Sequence, residues 1–295
     1  MSDAHPLLEV RDLRVAYPSR DRSAGSGWTE VVRGVGFSLG RERLGIVGES
    51  GSGKSQTGRA ILGLTAPGGR VTAATLKLGD IDLLACSERE RRALRGGRIA
   101  MVLQDPKYAL NPVLRVGQQI EETWLAHAPA GKRGGRTERR ERVAAALREV
   151  GIDDPARVMR LYPHEVSGGM GQRVMIAMML IAEPELLIAD EPTSALDVSV
   201  QLQVLAVLDR LVAGRGMGLI FVSHDLRLVQ SFCDRVLVMY AGRVVEECRA
   251  CDLDRAQHPY TRGLLSCLPE LGGTRRPLPV LDRKPEWASE TAVSR

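Results

Sequence analysis

Eight residues limit this chain of 295 residues more than any others: Gly48-Glu49-Ser50-Gly51-Ser52-Gly53-Lys54-Ser55. They fit G-x-x-x-x-G-K-S/T at every fixed position. The apolar run Leu44-Gly45-Ile46-Val47 precedes them and a helical pattern from Gln56 to Leu64 follows. Glycines at these positions let successive backbone N–H groups turn toward phosphate oxygens, and the helix N-terminus behind them adds partial positive charge. The segment Gly48 to Ser55, with the adjoining Gln56, is therefore a candidate nucleotide-binding loop. Lys54 is placed to reach the β- and γ-phosphates, and Ser55 to ligate Mg²⁺. The plain alternative is a Gly/Ser turn that contains a lysine by chance, and the strand–turn–helix context argues against it. The same context opens a parallel α/β core.

The pattern resumes several times along the chain. Arg98 to Leu103, Leu186 to Ala189, Gly218 to Val222 and Val236 to Met239 read as short buried strands. The strand Leu186 to Ala189 delivers Asp190 and Glu191 to its C-terminal end, where open α/β sheets bind ligands. Asp190 can hold Mg²⁺, usually through water, and Glu191 can polarise an attacking water. Upstream, Leu7 to Tyr17 reads as an opening strand pair, Ser19 to Gly27 as an exposed hairpin loop and Val31 to Leu39 as a strand. From Val116 to about Leu161 the signals are helical, broken by a polar loop from Ala128 to Arg136. Val143, Leu147 and Val150 share one face and Gly151 is a C-cap. Gly171 to Ala182 is a further apolar helix. The organisation is thus an α/β core over about 1–270, with a helical insert at about 113–182. Residues 271–295, rich in Pro, Arg and small polar side chains, form a tail expected to be poorly ordered and to lack its own core.

Composition removes several classes of function. The longest apolar run, Val174 to Ala182, is about half of what a membrane-spanning helix needs. The N-terminus lacks the charged start and apolar stretch of a signal peptide, which predicts a chain that stays in the cytosol. Net charge is only +5 and the charges are interspersed. The densest basic stretch, Lys132 to Arg140, has no interleaved aromatics, so it reads as a solvated loop leading into a charged helix face and not as a nucleic-acid surface. The five cysteines are odd in number and irregularly spaced, which argues against a disulfide framework. Cys248 and Cys251 make a lone C-x-x-C. With Cys267 and His258 nearby a metal site is conceivable, but a second pair is missing.

Further segments narrow the class. Val166-Ser167-Gly168-Gly169-Met170-Gly171-Gln172-Arg173 opens a helix, with Ser167 as a natural N-cap. Gln104 follows the strand ending at Leu103, His224 ends the strand from Leu219 to Ser223, and Ala195-Leu196-Asp197 follows Glu191. In this order, over about Leu7 to Pro269, the chain resembles the ATPase subunits of ABC transporters. The resemblance implies a P-loop NTPase fold: a RecA-like parallel sheet with an antiparallel β subdomain, plus the helical insert. It also implies ATP and Mg²⁺ as cofactors and a role for each motif. Glu191 is the catalytic base, His224 the switch that contacts the γ-phosphate, and Lys54 the phosphate-binding lysine. Gln104 senses Mg²⁺ beside Ser55 and Asp190, and Tyr17 stacks on adenine. Asp197 lies in the D-loop. Ser167, Gly168, Gly169 and Met170 form the signature, which closes over the nucleotide of a second chain.

Finer features resemble one branch, the ATPases of dipeptide, oligopeptide and nickel importers. They are Gln104 to Pro112 (QDPKYALNP), Asp197 to Gln201 (DVSVQ) and, beyond the catalytic core, His258 to Leu265 (HPYTRGLL). This implies a peripheral protein on the cytoplasmic face of the inner membrane. Its partners would be a second ATPase subunit (a heterodimer preferred), two transmembrane permease subunits and an extracytoplasmic solute-binding protein, with no nucleic acid. The helical insert is where the family docks its permeases. The signature departs from the usual pattern at Val166, where Leu is common, and at Gly171, which drops a side chain near the partner's nucleotide. No iron–sulfur cluster is predicted, because the Cys-rich extension of some branch members is missing after Pro269. A ribosome- or DNA-directed ABC ATPase would need a second cassette or a long coiled coil. A non-catalytic nucleotide sensor would have lost Glu191 or His224, and a small-molecule kinase would leave Ser167-Gly168-Gly169 and His224 without a job.

Overall fold

The computed structural model describes residues 6–19, 27–128, 131–194, 196–268, 281, 284–288 and 293–294. In chain order the elements are β1 (Leu8–Pro18), β2 (Trp28–Leu39), β3 (Arg43–Val47), α1 (Lys54–Ile61), β4 (Arg70–Thr72), β5 (Thr75–Leu78), β6 (Ile81–Asp82), α2 (Glu88–Leu94), β7 (Ile99–Val102), α3 (Pro106–Ala109), α4 (Val116–His127), α5 (Arg136–Glu149), α6 (Pro155–Val158), α7 (Gly168–Leu180), β8 (Leu186–Asp190), α8 (Val198–Arg215), β9 (Gly218–Val222), α9 (Leu226–Phe232), β10 (Arg235–Tyr240), β11 (Arg243–Arg249), α10 (Pro259–Ser266) and β12 (Val293–Ser294). They divide into two compact units, Met1–Ala85 with Phe221–Arg295, and Cys86–Ile220. The expected insert, α4 to α7, lies wholly in the second unit, which also takes β7, β8 and α8.

In the first unit an antiparallel sheet runs β2-β1-β5-β6, with β4 also on β1. The expected opening strand pair is one strand, β1. Its buried positions are Leu8, Val10, Leu13 and Val15, so the alternation slips by one residue after Val10. The register explains the slip: Val10 faces Phe37, but Leu13 faces Val35. One extra residue is accommodated in a β-bulge where Asp12 takes a left-handed φ of 50°. Read from sequence alone, such a slip looks like a break between two strands. The β1–β2 hairpin loop is closed by Ser19 N–H donating to Gly27 O at 2.8 Å; the rest of that expected loop, 20–26, lies outside the described residues.

The same unit holds β3 parallel to β10, with β11 antiparallel to β10 and β12 parallel to β11. Leu44, Ile46 and Val47 are fully buried in β3. Gly45 is equally constrained, because a Cβ there would lie 2.3 Å from Val229 Cγ1 of α9. Arg43 closes the start of β3 by an ion pair with Asp234 at 2.8 Å, and its hydrogen bonds hold the Asp234 carboxyl below the usual range. Most of the 271–295 tail lies outside the described residues. In its described part Trp287 is 5% exposed and its ring lies 6.1 Å from that of Tyr240 in β10.

In the second unit β7 and β8 pair in parallel, Ile99 opposite Leu186 through Val102 opposite Ala189. Arg98 and Glu185 lock the entry to both strands with a two-point ion pair at 2.6 and 2.7 Å. The expected helical face is present in α5, where Val143, Leu147 and Val150 are buried, and Gly151 follows with φ 77°. Arg142 of α5 lies over the Trp124 ring of α4 at 3.9 Å. Within the basic stretch, Arg139 pairs with Glu121 at 2.6 Å. Residues 129–130 of that loop lie outside the described residues. Among the described residues no helix is long and apolar enough to cross a membrane, and no group of three or more His, Cys, Asp or Glu is arranged to hold a metal. Cys248 is buried in β11, and its thiol is pushed up to about 11 chiefly by that burial; Cys251 is exposed.

Crowding at Gly45 yields a stability test. Gly45→Ala forces β3 and α9 apart and is expected to lower unfolding stability by about 1–3 kcal/mol. Val229→Ala in the same chain should recover part of that loss, measured by urea denaturation. Additive losses in the double variant would refute the contact as the cause.

Candidate nucleotide site

The first unit carries the phosphate loop. Backbone crowding sets its shape. Gly48 leaves β3 with φ 147°, and a Cβ there would lie 2.2 Å from the carbonyl oxygen of Met239 in β10. Gly53, the N-cap of α1, has φ 102°, a value that favours glycine, and a Cβ would lie 2.7 Å from Val31 O. Between them Ser52 is 4% exposed, and its carbonyl accepts the Gly242 N–H at 3.0 Å. Lys54 is 5% exposed; its ammonium donates to the Gly48 and Glu49 carbonyls at 2.8 Å and lies 3.5 Å from Ser52 Oγ. Ser50 and Gly51 are exposed at the loop tip, and Ser55 and Gln56 are half-buried at the start of α1. Tyr17 joins this group, since its hydroxyl donates to Gln56 Oε1 at 2.8 Å and accepts from Ala66 N–H at 3.3 Å.

His224 also belongs to the first unit and is exposed just past β9. The residues on either side fix it. Ser223 N–H donates to Ile46 O of β3 at 3.1 Å, and Asp225 caps α9 by accepting from Leu228 N–H at 3.0 Å.

The second unit carries the remaining motif residues. Gln104 is exposed, just beyond β7 and before Asp105, which caps α3. Asp190 ends β8 and is 6% exposed. Glu191 adopts a left-handed φ of 49°, and its carbonyl accepts from Ser194 N–H and Oγ at 3.3 and 3.2 Å. A non-glycine residue in this region is strained, and such strain concentrates at functional positions. Asp197 caps α8, accepting from Val200 N–H at 3.0 Å. Ala195 lies outside the described residues.

Ser167 is exposed and caps α7, accepting from Met170 N–H at 3.4 Å. Gly168 is exposed, while Gly169 and Met170 are half-buried. A Cβ at Gly169 would lie 2.2 Å from Val200 Cγ1, so the signature packs on the first turn of α8, beside Asp197. Gly171 follows on the same helix. It is buried, and a Cβ there would meet Pro106 and Val166 of its own chain at 3.4 and 3.8 Å, ordinary contact distances.

One residue of the loop's surroundings escaped the sequence reading: Tyr260, whose hydroxyl accepts the Glu49 N–H at 3.1 Å. The signal was present in the His258 to Leu265 motif, but it lies 211 positions from Glu49.

Residues 32–194 match the family model for the ABC transporter. The oligopeptide transport ATP-binding protein OppD of Salmonella typhimurium is 45% identical over 270 residues, which is 91% of this chain and 78% of that protein. The dipeptide transport ATP-binding protein DppD of Escherichia coli is 47% identical over 266 residues, 90% of this chain and 79% of that protein. Among solved structures, a dimeric ATP-binding cassette in a post-hydrolysis state with ADP and Pi superimposes with a TM-score of 0.71 at 25% identity, covering 82% of this chain and 98% of that one. A second, cbiO1 from Clostridium perfringens, part of an ABC transporter complex, gives a TM-score of 0.66 at 27% identity over 85% and 91%. With a phosphate loop on one unit and the signature helix on the other, the chain has the α/β P-loop NTPase fold and belongs to the ATP-hydrolysing subunits of the ABC transporter family.

Proposed function

We propose that this chain hydrolyses ATP at the cytoplasmic face of the cell membrane to power the uptake of peptides, or of a related small solute such as nickel, through partner permeases. The observation that carries this reading is its likeness to peptide-transport ATP-binding proteins over nine-tenths of its length. The His258 to Leu265 segment, outside the residues of the family match, supports the same branch.

The chemistry follows from the residues. Phosphoryl transfer needs little covalent help but needs charge compensation on several oxygens at once. In this reading Lys54 and the loop amides hold the β- and γ-phosphates, and Tyr17 stacks on adenine. A buried ammonium held by carbonyl dipoles gains further from an entering anion, and Lys54 is such a group. Mg²⁺ would supply Lewis-acid charge at the phosphates. The hard oxygen donors Ser55, Gln104 and Asp190 suit it. Glu191 orients and deprotonates water, and His224 reports the loss of the γ-phosphate. Ser167, Gly168, Gly169 and Met170 serve the nucleotide of a second ATPase chain, preferably a different protein. Asp197 lies at that junction. Two transmembrane permeases and an extracytoplasmic binding protein complete the complex.

Lys54→Ala is expected to weaken ATP binding by about 100-fold, the value of two charge-assisted hydrogen bonds. Glu191→Gln should keep binding, trap a closed pair visible by gel filtration, and lower turnover by about 10²–10⁴-fold. Normal hydrolysis by that variant would remove Glu191 as the base. In the assembled complex, Ser167→Arg should silence the partner's site, and unchanged turnover there would refute the two-chain arrangement. Co-expressed permeases should carry the chain into the membrane fraction, and the solute captured by their binding protein identifies the cargo.

A further inference from the structure

The phosphate loop is supported from an unexpected quarter, the C-terminal end of the first unit. Tyr260 is fully buried in α10, and its hydroxyl accepts the Glu49 N–H at 3.1 Å. A buried phenol needs a polar partner for its hydroxyl, and here that partner is the second residue of the phosphate loop. The ring has little freedom to move. The start of α10 is pinned by Glu246, 2% exposed, whose carboxylate accepts Gln257 N–H at 2.6 Å and His258 N–H at 3.4 Å. His258 Nδ1 then accepts the Tyr260 N–H at 3.2 Å.

The aromatic rings around it tighten the same point. The Tyr260 ring lies 4.5 Å from Tyr240 and 6.1 Å from Trp287. Tyr240 directly follows Met239, whose carbonyl oxygen leaves no room for a side chain at Gly48. The first two residues of the loop therefore rest on one cluster: Gly48 against the backbone of β10, and Glu49 on the Tyr260 hydroxyl.

We propose that Tyr260 is a positioning residue for ATP binding. It occupies the Glu49 amide and sets the first turn of the loop, so that the amides from Gly51 to Ser55 face the phosphates before nucleotide arrives. Preorganisation of this kind raises affinity by removing the ordering that binding would otherwise require. The inference rests on the nucleotide-site reading above and adds a residue to it. It also gives the His258 to Leu265 motif a physical task.

The test uses the full chain. Tyr260→Phe keeps the ring and removes the hydroxyl. The expected result is a small fall in Tm without nucleotide and a Kd for MgATP raised about 3- to 10-fold by calorimetry, the cost of ordering a loop turn that the hydroxyl no longer holds. In the assembled transporter, KM for ATP should rise by the same factor while kcat stays put. A Kd within twofold of wild type overturns the proposal. So does an equal loss of affinity in Tyr240→Phe, which would indicate general loosening of the cluster. If Tyr260→Phe does not fold, amide hydrogen exchange of the wild-type chain decides. The Glu49 amide should be protected before MgATP is added and gain little protection afterwards, and a Glu49 amide that exchanges freely without nucleotide overturns the proposal. Wild-type protein that failed to bind ATP would remove the nucleotide reading and this inference with it. Normal wild-type binding with an unaltered Tyr260→Phe removes the inference alone.

Discussion

Backbone passing against backbone under the phosphate loop is the constraint on which the rest of the first unit depends. At Gly48, Gly53 and Gly242 a Cβ would lie 2.2, 2.7 and 2.8 Å from a carbonyl oxygen, of Met239 at the first and of Val31 at the other two. No side chain fits such gaps, so the loop, the β10–β11 turn and β2 close on one another chiefly through main-chain atoms. The hydrogen bonds follow the same path, from Ser52 O to Gly242 N at 3.0 Å and from Gly242 O to Arg33 N at 2.7 Å. Lys54 is buried as a consequence. Its ammonium meets the Gly48 and Glu49 carbonyls because the loop wraps around it, and this holds the charge where a phosphate is expected to enter.

Legibility in the sequence tracks how local the cause is. The phosphate loop, the strand ending in Asp190 and the cap at Ser167 each depend on residues within one turn or one strand, and all are readable by pattern. The bulge at Asp12 is local too, but it presents as a fault in periodicity, and one bent strand reads as a pair. β11 was missed because Glu246 and Glu247 stand together in its middle and hide the alternation. Glu246 is nonetheless buried, since the backbone amides of residues 257 and 258 satisfy its carboxylate. α8 was missed because its opening, with Val198 and Leu202 exposed, shows its apolar side to solvent before Val204 and Leu208 turn inward. The surroundings of Gly171 are illegible for the opposite reason: its neighbour Pro106 is a residue 65 positions away, beyond any helical pattern.

The motif residues of the second unit carry structural duties inside their own chain. Ser167 caps α7, Asp197 caps α8, and Gly169 is small because Val200 lies where its Cβ would be. The caps are worth about 1 kcal/mol each, and a clash at 2.2 Å would cost at least as much. The signature and the D-loop are therefore joined before any second chain arrives. A substitution at Gly169 must move Val200, by turning its side chain or by shifting the first turn of α8 that Asp197 caps, so lost activity in such a variant does not by itself report a contact with a partner's nucleotide. Ser167 is a cleaner probe. Its hydroxyl makes a long 3.4 Å cap, its side chain is exposed, and the turn it begins is also held by the Gly171 N–H donating to its carbonyl at 2.8 Å.

Glu191 shows the same economy with a different device. Asp190 completes the buried strand, and the next residue must leave the sheet at once. It does so with φ 49°, a turn that an Asn or Gly would make more easily. The strain is held by the two hydrogen bonds that Ser194 donates to the Glu191 carbonyl. Gly at this point would relieve the backbone and keep the turn, but it would remove the carboxylate. In the role proposed for Glu191, orienting one water, a fixed backbone limits where the carboxylate can start from, and that matters there more than a relaxed φ.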